Sequence, residues 1–547
     1  MHHFYGRILS YLLVIVVLVS SPQWVDANPE DHLSGDENRT SLRYAFPSRI
    51  FELLPLFTSL SGEGLVGAQL FASPLRLQPD GKVGPYLVES WSYSEDSLRL
   101  TLHLRQGAVF HDGQPITASD LAFSLAMVKK HHPFRLVLAN LERVETPDSL
   151  TAVLVMSKPI PALLRFLIPP LVPILPRHVY GDGHPLRSHP AAIRVVGSGP
   201  FQLDEFVPGK RVVLKKFDRF FLAGRPHLEK ITITMYPESE GVPLALERGD
   251  EEAAGYLIYF YKRFSLASQL KVTQAGYENW MAQSILVFNN SKPPLDQVKI
   301  RQALSLSFDR SFLDFLPGSD QWDGKGGVIP PGTAFYHAIP DPDPFNVAKA
   351  NKLLDEAGYP RDENGKRFSL TFSLLPDETV TQPFAELLRQ SYMRKVGIEL
   401  DLIYHPDNSS WGRSILTGSF HMALNGTFLW GDPQIGVHRL LHSKSIYPGA
   451  LWANYFRFID PMTDALLDEA GSTMDQSVRM ARYKALQRRV SSQYPALWLA
   501  PLEFSTVHHE NLIGLSEQYS AGQPWDGLYW QQQEREAHPH SLPSFKD

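Results

Sequence analysis

The stretch Leu429-Trp430-Gly431-Asp432-Pro433-Gln434 puts one carboxylate between a glycine and a proline, just after an indole. Two kinds of chemistry are open to that acid. Asp432 can bond its own backbone in an Asx-turn, with Gly431 free to take positive φ and Pro433 fixing the exit. It can equally meet a cation, as a charge-assisted hydrogen bond to the positive end of a ligand. The residue types alone leave both roles open.

Other reactive constellations are scarce. There is no Gly-x-Ser-x-Gly elbow and no His-Glu-x-x-His pair, and Gly197-Ser198-Gly199 lacks the spacing of a nucleophile turn. Ser268-Gln269-Leu270-Lys271 matches Ser-x-x-Lys without the partner motifs that penicillin-binding enzymes need. No P-loop is present, so the chain is not expected to hydrolyse ATP itself. His111-Asp112-Gly113 reads as a turn, because no further ligands stand at helical spacing. The neighbours His131-His132 and His508-His509 point to opposite faces of an extended chain, so neither pair chelates alone. Both read as solvated surface pairs, although histidines from separate segments can still meet. With no cysteine anywhere, disulfides, thiolate metal sites, a cysteine nucleophile and a lipidated N-terminal cysteine are excluded. No enzyme activity, cofactor or metal is expected.

The elements that must carry these residues follow from composition and periodicity. The 547 residues are enough for about three or four domains. They are 43% hydrophobic and 20% charged, an ordinary globular balance, and the net charge of −6 offers no nucleic-acid footprint. Arg7 and the apolar run Leu12–Val19 precede Val25-Asp26-Ala27, the pattern of a secretory signal cleaved near Ala27; the run is too short for a spanning helix.

Alternation predicts strands at Leu98–Leu104 and Ile398–Ile403, an apolar run another at Ser284–Asn289, and Val207-Pro208-Gly209 a hairpin from FQLDEF to RVVLKKF. Helices are predicted after the capping pair Thr117/Asp120, after Asp296 with the stripe Ile300, Leu304, Phe308 and Phe312, and after Asn346. Further helices are expected over Pro383–Val396 and from Asp460 and Asp475, the last with Arg and Lys on its outer face. Residues 159–176 carry too many prolines for a long helix and read as a wrapping segment.

Four stretches, in order, resemble the extracytoplasmic solute-binding proteins of the peptide/nickel class, family 5 of the ABC importers. They are Val83–Leu125 (VGPYLVESW… FHDGQPITASDLAFSL), Val196–Phe221 (VGSGPFQL…), Phe288–Arg310 (FNNSKPPLDQVKIRQALSLSFDR) and Ala348–Pro360 (AKANKLLDEAGYP). The resemblance implies an α/β fold of the type II periplasmic-binding-protein kind, a two-lobed clamp with an extra subdomain inserted in the N-terminal lobe. It places lobe I at 28–70, 190–285 and 500–547, the insert at 71–189 and lobe II at 286–499, after a signal peptide at 1–27.

An exported chain without cysteine or a second apolar span is expected to be soluble and free of a lipid anchor, in a Gram-negative periplasm or else freely secreted, and to be a monomer. The resemblance implies that it hands a peptide or peptide-like solute to an inner-membrane permease and its ATPase subunits. Nickel chelates, opines and oligosaccharides are the alternative ligands; an exported hydrolase, a sensor or a chaperone is the alternative class. In the cleft, the resemblance makes Asp432 the counter-charge for a ligand ammonium and Trp430 and Gly431 donors of backbone contacts, with Leu429 beside them. Trp411 and Trp525 are candidate lining residues, and the first strand, with Tyr44 and Phe46, edges the pocket from the other lobe. Glu52-Leu53-Leu54-Pro55 and Phe71-Ala72-Ser73-Pro74-Leu75 depart from the family's pattern after that strand, which implies an altered pocket floor.

Overall fold

Alternating apolar residues become strands wherever one face can be covered. Arg99–Leu104 shows this directly, its Leu100, Leu102 and Leu104 buried and Arg99 and His103 exposed. The computed structural model describes residues 39–531 apart from 58–60, 238–240, 258–263, 265–268, 278–279, 311–312, 314–326, 340–344, 377–380, 448–451 and 516–521. The predicted export segment, Ser268 and Phe312 therefore lie outside the described residues.

Among the described residues three larger sheets form within one compact unit, Thr40–Asp547. A seven-stranded sheet runs in the order Leu270–Thr273, Ser505–His509, Ala253–Leu257, Ser41–Phe46, Lys230–Met235, Arg211–Lys216, Phe201–Val207. The first strand is central and parallel to both its neighbours. A five-stranded sheet follows the order Ile398–Tyr404, Phe368–Leu374, Met422–Thr427, Gln283–Phe288, Ala496–Pro501. A four-stranded antiparallel sheet comes from Val88–Tyr93, Arg99–Leu104, Thr151–Met156 and Leu141–Glu145. Strand succession makes the chain pass between the two largest sheets twice, after Thr273 and after Pro501. The result is an α/β clamp of two lobes.

Most local expectations find a physical counterpart. The hairpin joins Phe201–Val207 to Arg211–Lys216, with Gly209 at φ 72° in the turn. Asp120 accepts hydrogen bonds from both the backbone N–H and the hydroxyl of Thr117 (2.9 and 2.7 Å) at the start of helix Ala118–His131. Asn346, Asp460 and Asp475 each cap their helices through the side chain. The proline-rich segment is buried over most of its length and holds one short helix, Leu163–Phe166.

Two expectations need correction. Asp296 is not a cap: helix Val298–Ser307 begins after Gln297, without a side-chain cap, and Asp296 offers only its carbonyl, to Arg301. The histidine pairs are not solvated surface pairs, since His132 and His508 are buried. His132 packs against Phe134 and Phe166 (ring centroids 5.1 and 6.1 Å), and burial pushes it down to about 3, so it is neutral. The last helix, Gln476–Gln493, does carry Arg482, Lys484 and Arg488 on an exposed face, while a further cation, Arg479, is buried.

Gly197-Ser198-Gly199 is a clip, not a nucleophile. The N–H groups of Ser198 and Gly199 both donate to Leu70 O (3.0 and 2.9 Å), and Ser198 Oγ donates to Ile174 O while accepting from Ala72 N. His111 closes it from outside. Its Nδ1 accepts from Gly197 N (3.1 Å), leaving Nε2 to donate to Gly199 O (3.1 Å), and burial holds the ring neutral, down to about 4. A Cβ on Gly199 would stand 2.2 Å from Gln69 O, a backbone atom that cannot step aside. Gly199→Ala is therefore expected to lower unfolding free energy by about 1–3 kcal/mol, the range for overpacking, measured by urea denaturation. An unchanged midpoint would mean that the clip is slack.

Candidate functional site

Both passages between the large sheets carry aromatic side chains, and a strand end delivers two more. Tyr277 and Trp280 lie on the first passage and Phe504 on the second, while Met422–Thr427 runs directly into Phe428, Leu429 and Trp430. The rings converge. Trp280 meets Phe428, Phe504 and Trp430 at centroid distances of 5.4, 5.5 and 5.6 Å, and Phe428 stacks on Phe504 at 5.9 Å. Edge and offset contacts of this kind add to the apolar burial. On the seven-stranded sheet, Tyr44 lies 4.8 Å from Trp525, and Tyr277 Oη shares a 3.0 Å hydrogen bond with Thr506 Oγ1. Gly255 makes room there: a Cβ would come within 2.4 Å of Tyr44 Oη and 3.0 Å of Tyr277 Oη.

The turn after the strand is held from both sides. Trp430 and Gly431 have φ of 56° and 75°, and for a bulky aromatic the left-handed region is an outlier. Such a conformation costs about 1–2 kcal/mol and persists where its surroundings enforce it. The enforcing contacts are specific. Leu429 N donates to Trp280 O (2.7 Å), Arg165 Nε to Trp430 O (3.0 Å), and Ala162 N to Gln434 Oε1 (3.0 Å). Arg165 and Ala162 belong to the wrapping segment, so LWGDPQ is the latch by which that segment grips the second lobe. A Cβ on Gly431 would lie 2.3 Å from the Arg165 guanidinium, so glycine is needed for close approach as well as for φ.

Asp432 is buried and caps the short helix Pro433–Gly436 by accepting from Gln434 N (2.8 Å). Both its oxygens also receive Arg479 Nη2, at 2.8 and 3.0 Å. Arg479 is itself clamped over the rings of Phe335 and Tyr483, 4.7 and 5.7 Å away, and its Nε donates to Ala470 O. The carboxylate is thus already committed to a protein cation and a turn.

The structure divides the other predicted site residues between two packing clusters. Trp430, Tyr44, Phe46 and Trp525 fall in one, with Trp280 and Phe504. Trp411 and Leu429 fall in another, on the five-stranded sheet, where Trp411 meets Trp452 at 6.2 Å. Trp280, Phe504, Phe428, Arg165 and Arg479 stand beside the predicted residues and were missed by sequence reasoning. No local pattern joins Trp280, Phe428 and Phe504, because these three lie far apart in sequence.

Arg439, two turns beyond the latch, is buried against the Phe134 ring (4.5 Å) and donates from Nη2 to Phe428 O (3.3 Å) and from Nη1 to Trp452 O. Burial pushes it down to about 10, which leaves it charged at neutral pH. Elsewhere, Asp182, His184 and His189 approach one another, with Asp182 Oδ2 bonded to His184 Nδ1 (2.8 Å) and His189 Nε2 (3.2 Å). Ala191 N donates to His189 Nδ1 (3.0 Å), which puts that ring's proton on Nε2, the wrong tautomer for Nε2 to bind a metal. The cluster is a hydrogen-bonded clasp.

Asp432→Asn removes the charge facing Arg479 inside the protein. Unfolding free energy is expected to fall by about 3 kcal/mol, with Asp432→Asn/Arg479→Met recovering part of the loss in a urea double-mutant cycle. A variant as stable as the parent would show that the pair contributes little.

Among curated proteins, the chain is 26% identical to the glutathione-binding protein GsiB of Escherichia coli O1:K1 over 447 residues, 80% of this chain and 84% of that protein. Among solved structures it resembles AgaA of A. tumefacien R10, in complex with agropinic acid. The TM-score there is 0.78 at 23% identity, covering 90% of this chain and 99% of the other. DppA of Helicobacter pylori, in complex with the peptide STSA, gives a TM-score of 0.77 at 19% identity, covering 90% and 98%. The sequence of residues 82–448, well over half of the chain, matches the middle region of bacterial extracellular solute-binding proteins, family 5. The clamp, its two passages and its aromatic junction are thus those of a member of that family, to which this chain belongs.

Proposed function

We propose that this protein is exported with loss of its first 27 residues and binds a peptide or peptide-like solute between its two lobes for delivery to an inner-membrane ABC permease. The observation that carries this reading is the aromatic junction of Trp280, Phe428, Trp430 and Phe504. It gathers on the two passages and the strand end where the lobes meet, the place where a hinge closes on a ligand. Flat aromatic faces there suit small amino-acid-derived solutes, the class that includes glutathione, the peptide and the opine bound by the relatives.

In this reading the Trp430–Gly431 backbone, with Tyr44 and Trp525 opposite, contacts the solute, and Phe46 supports Tyr44 from the core. Leu429 and Trp411 brace the wall behind. Asp432 acts chiefly as a positioning residue: Arg479 holds it, and it holds the latch. A direct bond from Asp432 to a ligand ammonium remains the competing role, separable because it alone would make amine-blocked ligands bind like free ones in Asp432→Asn. No helix among the described residues is long and apolar enough to cross a membrane.

Native mass spectrometry of the exported protein is expected to show a bound small solute, and titration to change tryptophan fluorescence through Trp280 and Trp430. Trp430→Ala should weaken binding by roughly 2 kcal/mol, as loss of a buried aromatic anchor does. A protein that stays empty, with no thermal shift on glutathione, di- and tripeptides or opines, would rule the reading out.

A further inference from the structure

Buried arginines in this fold are satisfied in one of two ways. Arg479 faces Asp432. Arg301 has no carboxylate, but its three nitrogens all donate to carbonyls, of Leu295, Asp296, Gln493 and Tyr494, the last two at the C-terminal end of helix Gln476–Gln493. That is what a structural guanidinium requires, since each unpaired N–H would be costly. Arg439 fits neither pattern. No carboxylate among the described residues pairs with it, it has two carbonyl partners, and its Nε is buried without any.

The groups around it repeat the same deficit. Trp430 Nε1 and Trp411 Nε1 are buried donors without acceptors, and the buried Asn425 side-chain amide and Tyr455 hydroxyl have little besides each other. They are neighbours. Phe134 links Arg439 (4.5 Å) to Trp430 (6.3 Å), Tyr455 lies beside both Arg439 and Asn425, and Trp452, whose carbonyl Arg439 holds, touches Trp411. A region with surplus donors, one formal positive charge and too few acceptors has a definite complement: a group that only accepts and carries negative charge, such as a carboxylate.

Resting on the solute-binding reading above, we propose that Arg439, with Tyr455 and Asn425, is the anion receptor of the cleft and that the natural solute presents a carboxylate to it. The position suits this task. Phe134 precedes the turn Arg135–Leu138 of the part bearing the four-stranded sheet, whereas Arg439, Tyr455 and Asn425 come from the second lobe. A ligand carboxylate at this point neutralises a charge buried between two bodies and favours the closed clamp. Closure is already braced there, with Tyr447 Oη donating to His132 O (3.3 Å) and Arg135 stacked 3.6 Å over the Tyr447 ring.

The test is calorimetry on the exported protein with glutathione, a dipeptide and agropinic acid, each beside its fully esterified form. Esterification of any probe that binds is expected to cost roughly 10- to 100-fold in affinity, the worth of a hydrogen bond to a charged group. Arg439→Met should lose a similar factor, the two losses failing to add because they remove one interaction. Ligand-free Arg439→Met should also melt above the wild type, since it deletes an uncompensated buried charge. A merely structural arginine would give a lower melting point and unchanged affinity. An ester that binds like its acid overturns the receptor whether or not the variant folds, and so does a folded Met variant that binds like the parent; either leaves solute binding standing. Failure of every probe to bind the wild type overturns both readings together.

Discussion

The ion pair between Asp432 and Arg479 is the constraint on which the site depends. It lies inside the second lobe, where neither charge could stand alone without a large desolvation cost. Because it fixes Asp432, it fixes the cap of Pro433–Gly436, and the cap fixes the left-handed conformation of Trp430 and Gly431 just before it. That conformation aims the Trp430 ring at Trp280 and Phe134 and turns its carbonyl toward Arg165. One buried pair thereby determines where an aromatic wall stands and how the wrapping segment docks.

The clamp reuses this economy in its other contacts. The two passages between sheets are covered by rings that pack on one another, so that junction is held with few directional bonds. Directional chemistry is concentrated in the latch, where Arg165, Ala162 and Gln434 tie the proline-rich segment to the second lobe. Segments that move in hinge closure are held by a few discrete contacts with two arrangements rather than by continuous deformation of a packed core. Tyr447 and Arg135 add a second brace close to Arg439, linking closure to the electrostatics of the same region.

Buried charges in this protein differ in how they are compensated. Asp526 receives both Arg76 and Arg225, and Asp460 receives Arg489, so several charges in this protein serve as counter-ions to one another. Against that background Arg439, which no carboxylate among the described residues pairs with and whose Nε is buried without a partner, is a departure from the fold's own habit. Departures of that kind accumulate where a protein must leave chemistry unfinished for a ligand to complete.

Elements with local causes were legible in the sequence. Alternation at Arg99–Leu104, the Gly209 hairpin, the caps at Asn346, Asp460 and Asp475, and the four ordered stretches resembling one family each depend on residues close together in the chain. What only tertiary structure decided depends on residues far apart. Asp432 read as turn chemistry or a ligand's counter-charge; the turn is there, in its bond from Gln434 N, but its cation stands 47 residues away on a helix read as carrying Arg and Lys on its outer face. His132 and His508 looked solvated because adjacency says nothing about what packs on them, and burial made both interior residues. The aromatic junction had no local signature at all. Its rings come from residues 280, 428, 430 and 504, which backbone periodicity cannot relate because only the closing of two sheets on each other brings them within contact.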